Sequence, residues 1–248
     1  MPCDPVNMTA RECPPAQVAD GMAPDAELQP DRLARRWTPV ALLLLLAGMA
    51  LLIDLDISRH MVDQDWAQPW QRIRKVVHNV LEAVEPFGQP TAVICVSLAI
   101  VFCAGPKRGA GFRIAAGALC SGLFADLLKT TVARVRPRNF DFAGTVTSTF
   151  RNFLPGSGGG SPIQSWPSAH TAMAVGFCLA LSSVFPRGRV LFYTLAAMVA
   201  MQRIETGAHY LSDTLSGAAV GYAVWMIVFV QGPIARYFDA DEIRWARR

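Results

Sequence analysis

Arg203-Ile204-Glu205-Thr206-Gly207-Ala208-His209-Tyr210-Leu211-Ser212-Asp213 joins two apolar runs, about 189 to 204 and about 211 to 230. A cation, an imidazole and two carboxylates therefore gather where two membrane helices meet. Ionisable groups at the edge of a bilayer are costly to keep without a task. If a helix restarts near His209, Asp213 falls four residues on and shares its face. That carboxylate can accept one imidazole N–H, fix the tautomer and leave the other ring nitrogen free to attack an electrophile. A helix-end histidine tied to a neighbouring Asp for purely structural reasons is the other reading of the same residues.

The composition agrees with a membrane setting. Of 248 residues, 52% are hydrophobic and the mean hydropathy is +0.29, too apolar for an ordinary soluble domain. The formal net charge is only +4, and the basic residues are scattered among apolar runs, so no basic stripe offers itself to nucleic acid. Cys3, Cys13, Cys95, Cys103, Cys120 and Cys178 include no CxxC pair. They read as small apolar fillers and suggest neither a disulfide framework nor a zinc site.

Residues 1–36 mix six prolines with Ala, Asp and Glu, and are expected to form a disordered cytoplasmic tail. The leucine-rich run from Val40 to Ile53 starts too deep in the chain for a signal peptide and reads as a first membrane helix. After it, Trp66 and Trp70 precede Ile73, Val76, Val77, Val80, Leu81 and Val84 at helical spacing. That pattern predicts an amphipathic helix, lying in the membrane interface or packed on the bundle. Further apolar runs cover about 90 to 104, 112 to 128 and 171 to 185. Several fall short of the roughly 20 residues a bilayer needs, so their ends must reach into flanking polar positions. The expectation is an all-α fold: a six-helix transmembrane bundle over 37–231, with the amphipathic helix between the first two crossings and a short basic cytoplasmic tail over 232–248. Gly217 and Gly221 form a GxxxG step suited to close helix packing.

Charge orients this bundle. With the N-terminus inside, the inner segments hold Arg32, Arg35 and Arg36, then Lys107, Arg108 and Arg113, then Arg187 and Arg189, then Arg236, Arg244, Arg247 and Arg248, as the positive-inside rule asks. Arg72, Arg74 and Lys75 are a partial exception. Lys129, Arg134, Arg136, Arg138, Arg151 and Arg203 also fall outside, and the 203–213 stretch faces outward with them.

Two other outward places carry chemistry. Lys129 to Pro137 ends the third crossing, and Pro137 holds Arg136 extended so that the chain turns there. Trp166-Pro167-Ser168-Ala169-His170 immediately precedes the fourth, with Ser168 set to cap a helix whose first N–H groups attract an anion. Singly, Lys129 and Arg136 can snorkel, Ser168 can merely cap and His170 can sit satisfied at the interface. Together, three cations and two of the four histidines converge without a matching count of acids. Phosphoryl transfer through histidine asks for this set: guanidinium forks, an ammonium and helix amides for the phosphate oxygens, one imidazole to attack and one to protonate the leaving alkoxide. Cations would repel a divalent ion and only two imidazoles are at hand, which disfavours metal ligation.

Lys-x6-Arg-Pro at Lys129 to Pro137, Pro-Ser-Ala-His at Pro167 to His170 and Arg-x5-His-x3-Asp at Arg203 to Asp213 resemble the three-part signature of the type 2 phosphatidic acid phosphatase and vanadium haloperoxidase superfamily, in its membrane lipid phosphatase branch. The resemblance implies His209 as the nucleophile that forms a phosphohistidine, Asp213 as its orienting partner and His170 as the general acid that later activates water. It implies phosphate binding by Lys129, Arg136, Ser168 and Arg203, with backbone amides near Ser168 and Ala169 assisting, and no cofactor. The family usually has Ser before the third-motif Arg, where this chain has Gln202. Asp126 and Glu205 can tune such a site or simply pair on helix surfaces. The loop from Arg138 to Ser165, with Gly156, Gly158, Gly159 and Gly160 near its end, can cover the site or serve as a slack connection.

The function expected is a metal-independent hydrolase of a lipid phosphate or diphosphate, embedded in an inner or plasma membrane with both termini cytoplasmic and its site extracytoplasmic. Phosphatidic acid, phosphatidylglycerol phosphate and polyprenyl diphosphate are the candidate substrates. Alternatives are a lipid phosphotransferase, a vanadate-dependent haloperoxidase and a non-catalytic transporter or scaffold, the last opposed by charges clustered at one face and not at the midplane.

Overall fold

The apolar runs become helices, and at several of their ends Pro90, Ser168 or Gly207 marks the boundary. The computed structural model describes residues 30–62, 68–154 and 160–246. Residues 1–29 of the expected tail, together with Trp66, Gly156, Gly158 and Gly159, lie outside the described residues. Two units divide the chain, 1–36 and 37–248, and the second carries the fold.

The helices are α1 (Pro30–Ala50), α2 (Asp54–Val62), α3 (Gln68–Val84), α4 (Pro90–Cys103), α5 (Ala110–Leu128), α6 (Ala169–Val184), α7 (Arg189–Glu205), α8 (Leu211–Trp225) and α9 (Gly232–Ala246). A single π-helical turn, Met226–Val230, prolongs α8. Helix α1 starts at Pro30, inside the segment expected to be a tail, and the stretch read as a short basic tail after 231 is helical as α9.

Helix α6 is the centre of the bundle, packed against α5, α7 and α8. Its Phe177 meets Phe87 with ring centroids 4.9 Å apart, in a core of Val93, Ile100, Ile114, Ala118, Met173 and Leu181. Gly217 and Gly221 allow α8 to touch α6: a Cβ on either would lie 2.4 Å from a backbone oxygen, of Ser168 and Ala172 respectively. The GxxxG step thus sets the spacing of two helix backbones.

The exterior is apolar. Leu42, Leu45, Leu52, Phe102, Leu123, Leu127 and Val190 are all exposed, a surface that water would not tolerate and lipid does. Helices α5 and α8 with its extension are long and apolar enough to cross a membrane, and each of two bent pairs, α1 with α2 (70°) and α3 through Gly88 with α4 (61°), has the length for a broken span. Among the described residues that gives two spans, or up to four, by length and composition. The chain is an integral membrane protein. Helix α3 forms where periodicity predicts it. Leu81 is buried on it, whereas Ile73, Val76, Val77 and Val80 stay exposed.

The all-α expectation needs one correction. Between α5 and α6 the chain makes an antiparallel hairpin, β1 (Val132–Arg134) with β2 (Phe150–Phe153), and Arg134 also bridges in parallel to Gln164. Val132, Val135 and Phe150 favour extended backbone, and Pro137 holds Arg136 extended. The ladder goes on through Val135 N–H to the Thr149 carbonyl, Arg136 N–H to Pro162 and Ser165 N–H to Arg134. The described part of the 138–165 loop is therefore hydrogen-bonded into place at both ends.

Candidate active site

Four helix ends and the hairpin meet at one end of the bundle. Helix α7 stops in a Schellman turn: Gly207 adopts φ +61°, its N–H reaches Ile204 O and the Ala208 N–H reaches Arg203 O. The His209 N–H also bonds Arg203 O, at 3.0 Å, so the turn that ends α7 fixes His209 relative to Arg203. Helix α8 begins at once, with Asp213 in its first turn accepting the Tyr210 N–H at 2.9 Å, an acid where the helix dipole favours one.

Helix α6 opens with Ser168 as N-cap, its Oγ accepting from Thr171 N–H at 3.4 Å and Thr171 Oγ1 at 3.0 Å. Ser168 N–H donates to the Asp213 carbonyl at 3.1 Å, joining the starts of α6 and α8. Ala169 and His170 are the first residues of α6. Lys129 caps the end of α5 and pairs with Asp126 at 2.7 Å.

Asp213 was expected to take the N–H of His209. The ring instead bonds the Ser165 carbonyl through Nδ1 at 2.6 Å, and Asp213 Oδ2 stands 3.9 Å away. The reason is that both oxygens of Asp213 are occupied: Oδ2 by Ser165 Oγ (2.6 Å) and Tyr210 N–H, Oδ1 by Arg134. Asp213 acts on His209 at one remove, by holding Ser165. A carbonyl only accepts, so Nδ1 carries the hydrogen and Nε2 keeps its lone pair. Burial, then the charges of Arg136 and Lys129, hold the His209 pKa well below its ordinary value. The imidazole is neutral at neutral pH.

Arg134 is the buried hub beneath this loop. It is fully inaccessible, ion-paired to Asp54 (2.7 Å) and Asp213, bonded to Ser212 Oγ (2.7 Å) and Thr149 Oγ1 (3.2 Å). Its guanidinium lies between the rings of Tyr210 (4.0 Å) and Phe150 (4.6 Å). Asp54 in turn accepts from the Ser212 N–H at 3.0 Å and from its hydroxyl. One guanidinium thus ties α2, the hairpin and α8 together.

The cations nearest His209 differ in what holds them. Arg203 Nη2 meets Glu85 Oε1 at 2.8 Å, and its Nε donates to Gln202 Oε1. Arg136 has no carboxylate partner among the described residues: Nη2 makes only a long 3.5 Å contact to the Gln164 carbonyl, and buried Nε has no hydrogen-bond partner. Burial, then the charges of Arg138 and Arg203, pull its pKa below the usual guanidinium value. A half-buried cation with open donors is a place for an anion. His170 Nε2 lies 3.7 Å from Glu85 Oε1. Glu205 turns away to His78 of α3, at 2.8 Å from Nδ1.

All eight residues singled out by sequence, Lys129, Arg136, Ser168, Ala169, His170, Arg203, His209 and Asp213, lie at this end, on the ends of α5, α6, α7 and α8 or in the segments joining them. Five partners were missed: Asp54, Glu85, Arg134, Ser165 and Ser212. Arg134 stood inside the first motif and Gln202 was visible as a departure, but Asp54 and Glu85 are brought in from before α5 with no local pattern to mark them.

Comparison with known proteins gives the chain a family. The PAP2 superfamily matches residues 110–236, from the first turn of α5 into α9. This chain belongs to the PAP2 superfamily. Among relatives, a lipid A 1-phosphatase of Rhizobium etli is 35% identical over 161 residues, 58% of this chain and 67% of that protein. One from Rhizobium johnstonii is 41% identical over 101 residues, 41% of this chain and 39% of that protein, and one from Porphyromonas gingivalis 41% over 69 residues, 26% and 16%. No solved structure matches the chain. Within the PAP2 superfamily the chain falls in the membrane lipid phosphatase branch.

Proposed function

We propose that this PAP2 protein removes the phosphate of a lipid headgroup through a phosphohistidine on His209, at the extracytoplasmic end of a six-crossing bundle. The observation that carries the reading is the 2.6 Å bond from His209 Nδ1 to the Ser165 carbonyl, which leaves Nε2 as a free nucleophile with Arg136, Lys129 and Arg203 around it. Nε2 attacks phosphorus, the P–O bond to the lipid breaks, and His170 gives its proton to the departing oxygen. Water then attacks the phosphohistidine, His170 takes its proton, the P–N bond breaks and inorganic phosphate leaves. Arg136, Lys129 and Arg203, with Ser168 and the first amides of α6 at Ala169, hold the phosphoryl oxygens and stabilise the charge of the pentacoordinate state. These donors supply positive charge without a metal ion.

The helix-end location suits an amphiphile, whose headgroup meets the polar rim while its tails stay in lipid. The relatives' named activity makes the 1-phosphate of lipid A the first substrate to try, beside phosphatidic acid, phosphatidylglycerol phosphate and a polyprenyl diphosphate. The experiment is phosphate release from each lipid by detergent-purified protein with a chelator present. Wild type releases phosphate from at least one, and His209→Ala loses about a thousandfold or more. Undiminished release by that variant rejects the mechanism, and appearance of the label on a second lipid in place of free phosphate redefines the enzyme as a transferase.

A further inference from the structure

Glu85 lies outside the segment that matches the PAP2 superfamily, yet its carboxylate is in the middle of the candidate site. It opens the short 3-10 turn Glu85–Gly88 that follows α3. Oε1 meets Arg203 Nη2 at 2.8 Å and accepts from Gln89 Nε2 at 3.0 Å, and Oε2 accepts from Gln202 Nε2 at 3.0 Å. Gln202, almost wholly buried, returns its own Oε1 to Arg203 Nε. The three side chains close a ring in which each is bonded to the other two. The turn itself is pinned: a Cβ on Gly88 would lie 2.8 Å from the His170 carbonyl oxygen and 2.8 Å from Val199 Cγ1, and Phe87 packs on Phe177. Glu85 is therefore held against α6 and α7 before any substrate arrives.

A carboxylate bonded to a phosphate-binding arginine weakens that arginine for anions, so its retention there asks for a use. The same oxygen, Oε1, stands 3.7 Å from His170 Nε2. The charged groups facing His170 are Arg203 of α7, Lys129 and Asp126 of α5, and Glu85. Lys129 and Asp126 are paired with each other; burial and then Arg203 hold the His170 pKa down to about 4, and Glu85 is the strongest influence in the other direction. Resting on the function proposed above, we infer that Glu85 is a positioning residue of the phosphatase: with Gln202 it aims the Arg203 guanidinium, and it favours the protonated His170 that serves the leaving oxygen.

The test is steady-state kinetics across pH on the full-length protein in detergent, for wild type, Glu85→Gln, Glu85→Asp and His209→Ala, with thermal unfolding of each. Glu85→Gln keeps the shape and a hydrogen bond to Arg203 but removes the charge. It lowers kcat about tenfold or more at neutral pH while KM changes by less than about threefold, and the alkaline limb of the kcat profile moves to lower pH because the acid loses its proton earlier. Glu85→Asp restores the charge at a longer reach and recovers part of both effects. An unmoved pH profile with His209→Ala inactive overturns this inference and leaves the phosphohistidine reading standing. Full activity in His209→Ala overturns the reading beneath it, whatever Glu85 does. Loss of folding in both Glu85 variants makes Glu85 a structural anchor and equally overturns the inference.

Discussion

Arg134 is bonded to two buried carboxylates, and none of its charge is left for a ligand. Arg136 in the same motif faces the opposite situation, with no carboxylate partner among the described residues. The division is between a cation that builds the site and one that awaits an anion. Replacing Arg134 with Met strands Asp54 and Asp213 without a counter-charge, and the expected cost is about 3–5 kcal/mol of stability. Thermal unfolding in detergent reads it, and Arg134→Met combined with Asp54→Asn should lose less than the sum of the two single changes. Additive losses would mean that the two side chains are not coupled. His209 gives a second residue-scale expectation. Its folded-state pKa is depressed, so its contribution to stability is complete above the unfolded value of about 6.5 and is lost as pH falls below it, where the unfolded chain takes up the proton. Relative to His209→Gln, wild type should lose unfolding temperature faster between about pH 7 and 5. Parallel curves would show that the imidazole is not held neutral.

At the scale of elements, the site depends on how closely the starts of α6 and α8 can approach. Gly217 sits under Ser168, and a Cβ there would lie 2.4 Å from a backbone oxygen that cannot turn aside. Gly217→Ala should cost about 1–3 kcal/mol and lower phosphate release as well, because the helix it displaces begins with Ser168, Ala169 and His170. Gly48 on α1 is the control, since nothing lies within 4 Å of its would-be Cβ. Gly48→Ala should leave activity intact and stabilise by up to about 1 kcal/mol through helix propensity. Equal losses at both glycines would refute the packing argument. The glycine pair was legible beforehand as a GxxxG step, as were the helices and α3, because apolar periodicity is written into local sequence. The hairpin was not: three residues of β1 and four of β2 are too few for an alternating pattern to stand out. The direct partner of His209 was hidden for a related reason. A carbonyl has no residue identity, so nothing in the sequence marks Ser165 O as the acceptor, whereas Asp213 four residues on was conspicuous. Glu85 and Asp54 were hidden by distance along the chain, since only the bends after α1 and after α3 bring them back to the ends of α7 and α8.

On the scale of the whole molecule, the two ends of the bundle differ in kind. One holds Arg136, Arg203, Lys129 and the two histidines. At the other, Arg113 clamps the extension of α8 to α9 through the Val228 and Phe229 carbonyls and an ion pair with Asp239 at 2.6 Å. There Arg108 lies over the Trp245 ring at 5.1 Å, and Lys107 donates to the Val184 carbonyl at 2.9 Å. A basic cluster at that end is consistent with a cytoplasmic face under the positive-inside rule, which supports the proposed orientation. Single cysteines test it in a background whose six native cysteines are replaced by Ala. Ala143→Cys lies in the loop after β1, exposed at the site end, and Arg187→Cys lies between α6 and α7, exposed at the other. In spheroplasts, a membrane-impermeant maleimide should label the first variant and reach the second only after lysis. The opposite pattern would turn the site to the cytoplasm, and labelling of both in intact spheroplasts would mean that α6, only 16 residues long, does not separate the two aqueous phases.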